Sequence, residues 1–189
     1  LVFLQEVVGS HENHKLRQPA WPNASQFEFL ADMIWPHFAY GKNAVYTEGH
    51  HGNAILSRYP IVFHENIDIS TNRYEKRGIL HGVISMPGVE KEIKLHLLCL
   101  HLNLLASGRR LQVNSLIERI NSHVPPHEPL IIAGDFNDWQ ERISHRLRDE
   151  VDAHEVFEAL TGRHAKSYPS WFPLIALDRI YSRGLGPQE

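Results

Sequence analysis

The sequence predicts a mixed α/β or α+β domain built in layers, and three observations predict it. Short, strongly apolar runs of strand length recur along the 189 residues. Segments with the period of amphipathic helices lie between them. No fixed-period repeat, low-complexity tract or long linker divides the chain, so residues 1–189 are expected to form one domain, within the roughly 100 to 200 residues such units hold. A hydrophobic content of 42% and a charged content of 22% match a folded globular chain rather than a disordered or fibrous one.

Taken in order, "LVFLQEV" (1–7) reads as a buried strand and "HENHKLRQPAWPN" (11–23) as a proline-punctuated loop. "SQFEFLADMIW" (25–35) reads as a helix. Ser25 and Glu28 have the spacing of a capping box, and Phe27, Leu30, Ala31 and Ile34 share one face. "NAILSRYPIV" (53–62), "GILHGVISM" (78–86) and "IKLHLLCLHL" (93–102) read as strands. In "SGRRLQVNSLIERINSHV" (107–124), Ser107 is the expected cap and Val113, Leu116, Ile117, Ile120 and Val124 form the apolar stripe of a helix. "PLIIAGDF" (129–136) is a strand, a weaker helix starts near Gln140, "YPSWFP" (168–173) is an aromatic loop and "ALDRIYS" (176–182) is the last strand.

The formal net charge of −3 excludes a global basic field that would drive non-specific nucleic-acid binding, while leaving room for a local basic groove. The lone cysteine, Cys99, excludes an internal disulfide framework and fits a reducing, cytoplasmic setting; within an apolar strand it is expected to be inert core. No apolar run reaches the roughly 18 residues of a membrane span, and the start carries no secretory-signal pattern. The chain opens on "LVFLQE" without a methionine and is therefore read as an internal stretch whose natural start lies upstream.

Four constellations could carry chemistry. Glu6 closes a buried strand, where a carboxylate is costly unless a cation compensates; taken alone it reads as the first polar residue of a loop. His101 and Asn103 interrupt "CLHLNLL" with the parity of one strand face, suited to phosphate contact or proton transfer, or to a satisfied core histidine. Asp135 and Asn137 are two apart, so in an extended strand end they share a face and can place a base beside a carboxamide; "GDFND" is also turn chemistry. Asp138 falls out of that register and is assigned to the turn. Asp178 sits inside "LDRIY", where it either orients a histidine or pairs with Arg179.

Together and in this order, these residues resemble the endonuclease/exonuclease/phosphatase superfamily, with its deoxyribonuclease I-like fold. The resemblance rests on "LQE" (4–6), "GNAILSR" (52–58), "KRGIL" (76–80), "LHL" (100–102), "GDFN" (134–137) and "LDRIY" (177–181), spread over nearly the whole chain. The run from Glu28 to Ile61 looks most like small, uncharacterised bacterial members.

The resemblance implies a four-layer sandwich of two mostly antiparallel sheets flanked by helices, and divalent-metal-dependent hydrolysis of a phosphoester, with a phosphodiester expected. Carried over residue by residue, Glu6 is the metal ligand, Asp135 activates or positions water, and Asn137 holds nucleophile and phosphate. His101 donates to the transition-state oxyanion, Asp178 orients a further histidine, and Asn53, Arg77 and Asn103 line the substrate site. The family's first strand, with an Asn, and its Ser-Asp-His segment are expected to lie upstream of Leu1 and downstream of Glu189. Mg²⁺, or Mn²⁺, suits such a site because it takes oxygen ligands, keeps several waters and commonly needs only one or two protein carboxylates.

The expected substrate is a nucleic acid, a phospholipid headgroup or a small phosphodiester, and the expected state a monomer without a stable protein partner. Trp171 and Phe172 are read as aromatics anchoring their loop on the core, with ligand stacking the alternative. "HENH" and "EGHH" are read as solvated histidines rather than a metal site. Two rivals remain: a catalytically inactive binding module of the same fold, and a calcineurin-type metallophosphoesterase, whose Asn-His-Glu order this chain lacks.

Overall fold

A computed structural model describes residues 1–11, 25–88 and 92–185. The expected loop at 11–23 falls almost wholly outside them. The elements run β1 (Val2–His11), α1 (Gln26–Ile34), β2 (His37–Tyr46), β3 (Gly49–Ser57), β4 (Ile61–Asp68), β5 (Gly78–Met86), β6 (Ile93–His101), α2 (Ala106–His123), β7 (Leu130–Asp135), α3 (Arg142–Val151), β8 (His154–Glu155), α4 (Val156–Thr161) and β9 (Asp178–Arg183). They form a three-stranded sheet, β1-β3-β2, and a six-stranded sheet, β4-β5-β6-β7-β9-β8. Only the β6/β7 pair is parallel among these neighbours, and α2 is its crossover.

Three apolar clusters define four layers. Phe27 and Ala31 of α1 pack with Val7, Ala54 and Leu56 on the outside of the small sheet. Ala39, Ile55, Leu80, Leu97 and Cys99 fill the space between the sheets. Leu98, Leu100, Val113, Leu116, Ile120, Ile132, Phe136, Leu147 and Tyr181 join the outer face of the large sheet to α2 and α3. The expected sandwich of two mostly antiparallel sheets flanked by helices is therefore present.

Several local expectations are corrected. Residues 53–62 are two strands, because Arg58 to Pro60 turn the chain and the Ser57 hydroxyl accepts the Tyr59 N–H at 2.9 Å. β2, interrupted by Gly41 to Asn43, and the largely exposed edge strand β4 carry no sustained apolar alternation. The Ser25/Glu28 capping box forms, and Phe27 and Ala31 of α1 are buried, but Leu30 and Ile34 are exposed. The stripe Val113, Leu116, Ile117, Ile120 and Val124 is buried, yet α2 starts at Ala106 with Leu105 as its cap residue and no side-chain cap bond, so Ser107 lies inside the helix.

Trp171 is 85% exposed and Phe172 59%, so the 168–173 loop is not anchored by them. His50 and His51 lie half-buried on β3 rather than in a solvated loop, with His50 Nδ1 3.0 Å from the Tyr40 hydroxyl. Cys99 is buried as expected, and burial pushes its thiol up to about 12.

Candidate active site

A bulge in β1 makes the site possible. Leu4 pairs with Ala54 and Val7 with Gly52, so β1 spends one residue more than β3 over this stretch. In regular alternation Glu6 would follow Leu4 toward α1. The extra residue gives that position to Val7 and turns Glu6, at φ 55°, toward the large sheet. A left-handed backbone at glutamate costs about 1–2 kcal/mol, held here by the strands on either side.

"GDFN" builds the opposite wall. A Cβ on Gly134 would stand 1.9 Å from the Leu100 carbonyl oxygen, so only glycine lets β7 approach β6 this closely. Asp135 ends β7 facing the site, while Phe136 is buried against Tyr181, their ring centroids 5.0 Å apart. Asn137 is not extended: it adopts φ 50°, and the shared-face argument for Asp135 and Asn137 fails. They meet through a turn, in which the Asn137 N–H donates to Asp135 Oδ1 at 2.9 Å and the Asn137 carboxamide donates to the Leu102 carbonyl at 2.8 Å.

His101 stands between the two walls. Its Nδ1 is 3.5 Å from Glu6 Oε1 and its Nε2 3.7 Å from Asp135 Oδ2. Arg77 Nη1 is 3.7 Å from the same Glu6 oxygen, and Nη2 is 3.8 Å from Glu75. Asp178 is the cross-strand partner of Asp135, which puts two carboxylates side by side on one face. Burial raises Asp135 above the ordinary aspartate value, with Asp178 adding to the rise and the Asn137 N–H, His101 and Arg77 opposing it. Burial, then Arg77, hold the His101 imidazole below the ordinary histidine value, against Asp135, Glu6 and Asp178. Its Nδ1 and the Arg77 Nε are buried without a hydrogen-bond partner among the described residues.

Glu6, Arg77, His101, Asp135, Asn137 and Asp178 thus meet at the seam of the two sheets. Asn53 and Asn103 do not present free carboxamides there. Asn53 is buried between the sheets and donates to the carbonyls of Gly78, at 3.0 Å, and Cys99, at 3.2 Å. β6 stops at His101, so strand parity does not reach Asn103; its buried carboxamide bonds Thr71 and Gln112, both at 2.8 Å.

Arg179 takes Asp138, not Asp178, as its carboxylate, at 3.4 Å. Asp138 also accepts the Ile143 N–H at 2.9 Å, so it is a buried anchor for the start of α3 rather than a plain turn residue. The adjacency of Asp178 and Arg179 hid this pairing, although alternation along β9 already puts those two side chains on opposite faces. One further cluster, Glu155, Glu158 and His164, has its ligand-type atoms within 4.8 Å of one another, without Glu6 or Asp135.

A sandwich with carboxylates, an imidazole and a guanidinium gathered at its seam defines the class: over residues 1–187 the chain matches the endonuclease/exonuclease/phosphatase family and belongs to it. YbhP, an uncharacterized protein of Escherichia coli strain K12, is 49% identical over 181 residues, covering 96% of this chain and 70% of the relative. An endonuclease/exonuclease/phosphatase structure from Beutenbergia cavernae superposes with a TM-score of 0.63 at 18% identity, over 96% of this chain. The chain spans 54% of that structure's length. The human nocturnin catalytic domain, solved with a bound sulfate anion, gives 0.65 at 18% identity over 95% of this chain and 67% of its own. At these identities the two structures speak for the fold. The calcineurin-type reading is left without support.

Proposed function

We propose that the protein is a divalent-metal-dependent hydrolase of phosphoester bonds, with phosphodiesters as its substrates. One observation carries the reading: three carboxylates, Glu6, Asp135 and Asp178, converge on His101 with Arg77 as the nearby guanidinium, an imbalance that a divalent cation and an anionic substrate together would relieve.

Glu6, with its side chain 59% exposed and no hydrogen bond sealing its oxygens among the described residues, is the carboxylate that would hold Mg²⁺ or Mn²⁺. The donor set fits a hard cation that keeps most of its water. Such a cation, when bound, supplies charge neutralisation at the phosphoryl group and a more acidic water.

The chain's own residues do the rest. Asp135, its basicity raised by burial, takes the proton of the attacking water. The Asn137 turn holds one oxygen of that carboxylate through its backbone N–H. His101, kept neutral near pH 7, donates an N–H to a phosphoryl oxygen, and Arg77 contacts the phosphate. Asp178, opposite Asp135 across the strands, holds the local potential negative.

The binding-module alternative is discriminated by turnover. The intact protein is offered a generic bis-ester, plasmid DNA, phospholipids and inositol phosphates, each with metal and with EDTA. Turnover abolished by EDTA and reduced about 10²- to 10⁴-fold by Asp135→Ala and Glu6→Gln is expected. Metal-independent turnover, or wild-type rates in both variants, overturns the reading.

A further inference from the structure

Beside this site, between the amino ends of α2 and α3, lies a cleft of about 390 Å³ lined by Arg109, Arg110, Arg142 and Arg146. A chain of net charge −3 gathers four guanidiniums in one place. Their neutralisation is incomplete. Arg146 is matched by Glu150, at 2.6 Å, and the lining carboxylate, Asp138, is matched by Arg179, at 3.4 Å. Arg110 and Arg142 have no carboxylate partner among the described residues, whereas the buried Arg109 donates to the Asn103 and Leu104 carbonyls.

The helices sharpen the imbalance. α2 has no acidic residue in its first turn and no capping bond from its cap residue, while α3, whose first position is Arg142, is met at its start by the Asp138 carboxylate through the Ile143 N–H. A cation at that first position opposes the helix dipole. The amino end of α2, without a side-chain cap, and the carboxylate-free guanidiniums of Arg110 and Arg142 share one lining, an arrangement relieved by a bound anion.

The cleft also opens where the chemistry is. α2 follows the carboxyl end of β6, five residues after His101, and Asp138 follows Asp135 by three, so the cleft and the catalytic groups share one end of the large sheet. Trp139 comes next, 51% exposed, with the Arg109 guanidinium 5.1 Å from its ring centroid. An arginine-lined path beside an exposed aromatic suits a strand that offers phosphates and bases in alternation.

Resting on the hydrolase reading above, we propose that the α2/α3 cleft is a second phosphate subsite, which holds a phosphate of a single-stranded polynucleotide next to the one being cleaved, with Trp139 stacking on a base. The test reads binding in EDTA, so that neither metal nor turnover is needed. A fluorescein-labelled single-stranded oligonucleotide is titrated against the wild-type chain, Arg110→Glu/Arg142→Glu and Trp139→Ala by anisotropy. In parallel, inorganic tripolyphosphate is titrated by calorimetry and vesicles containing phosphatidylinositol bisphosphate by sedimentation.

Salt-sensitive oligonucleotide binding is expected, weakened about tenfold or more by the double charge reversal and about fivefold or more by Trp139→Ala. The tripolyphosphate affinity falls with the arginines and not with the tryptophan. Arg110 and Arg142 are exposed, so thermal midpoints within a degree or so of wild type check that the variants fold. Equal oligonucleotide binding by wild type and the double variant, or arginine-dependent binding of vesicles without the oligonucleotide, overturns the proposal. Arginine-dependent oligonucleotide binding by a protein that hydrolyses nothing supports the cleft and sinks the hydrolase reading alone.

Discussion

Asp135 shows at the scale of one residue how function draws on stability. Burial raises its pKa above the unfolded value. A raised carboxyl stabilises the fold while it is protonated, below the ordinary value near 4, and loses that contribution as pH rises through the folded value. At neutral pH the charged form therefore leaves the fold less stable than a neutral isostere would. Asp135→Asn keeps an oxygen to accept the Asn137 N–H and removes the charge beside Asp178. Its thermal midpoint at pH 7 is expected to rise, by about 2–4 °C for each kcal/mol recovered, while turnover falls about 10²- to 10⁴-fold. The gain in midpoint shrinks near pH 4, where the wild-type side chain is itself losing its charge. A midpoint at pH 7 equal to or below wild type would show that Asp135 carries no such burden.

At the scale of elements, a buried polar chain ties four of them together. Glu65 of β4 accepts from Arg119 of α2 at 2.6 Å, and the Arg119 Nε–H donates to His81 Nδ1 of β5 at 3.1 Å. That donor fixes the tautomer: neutral His81 carries its proton on Nε2, which donates to His96 Nδ1 of β6 at 2.9 Å. His96 then donates from Nε2 to Glu128 at 2.6 Å. Burial, with Arg119 beside it, lowers His81 to about 3.

A depressed histidine contributes stability that is present above its unfolded pKa near 6.5 and lost as pH falls toward the folded value. The expected loss is up to about 1.4 kcal/mol per pH unit. Melting midpoints should fall from pH 7 to pH 5, and His81→Phe, though less stable at pH 7, should show a flatter decline. An equal decline in both proteins assigns the acid sensitivity elsewhere.

The same elements show what the sequence discloses. Strands buried on both faces, such as β5 and β6, and the α2 stripe are legible because burial writes itself as apolar runs. β2 and β4 are not, because bulges and edges need no apolar alternation. At the site, residue types and order are visible while orientation is not. Nothing local in "LQEV" announces the bulge that turns Glu6 around, and nothing in "GDFND" distinguishes the left-handed Asn137 from an extended one.

For the whole molecule, the decisive relation is how the two sheets meet, since Glu6 arrives from one and His101, Asp135 and Asp178 from the other. Asn53 guards that relation. From β3 in the small sheet, its carboxamide donates to Gly78 of β5 and Cys99 of β6 in the large one. Asn53→Ala removes both donors inside a space closed by Ile55, Leu80 and Leu97, at an expected cost of about 1–3 kcal/mol. For a chain of this size that lowers the melting midpoint by about 2–4 °C per kcal/mol. Because its N–H groups are spent on backbone, the variant's KM for a bis-ester, measured well below its own midpoint, should stay within about twofold of wild type. A raised KM with an unchanged midpoint would return Asn53 to the substrate. A lowered midpoint with unchanged KM places it in the seam, where it acts on catalysis only by keeping the sheet that carries Glu6 docked on the sheet that carries the rest.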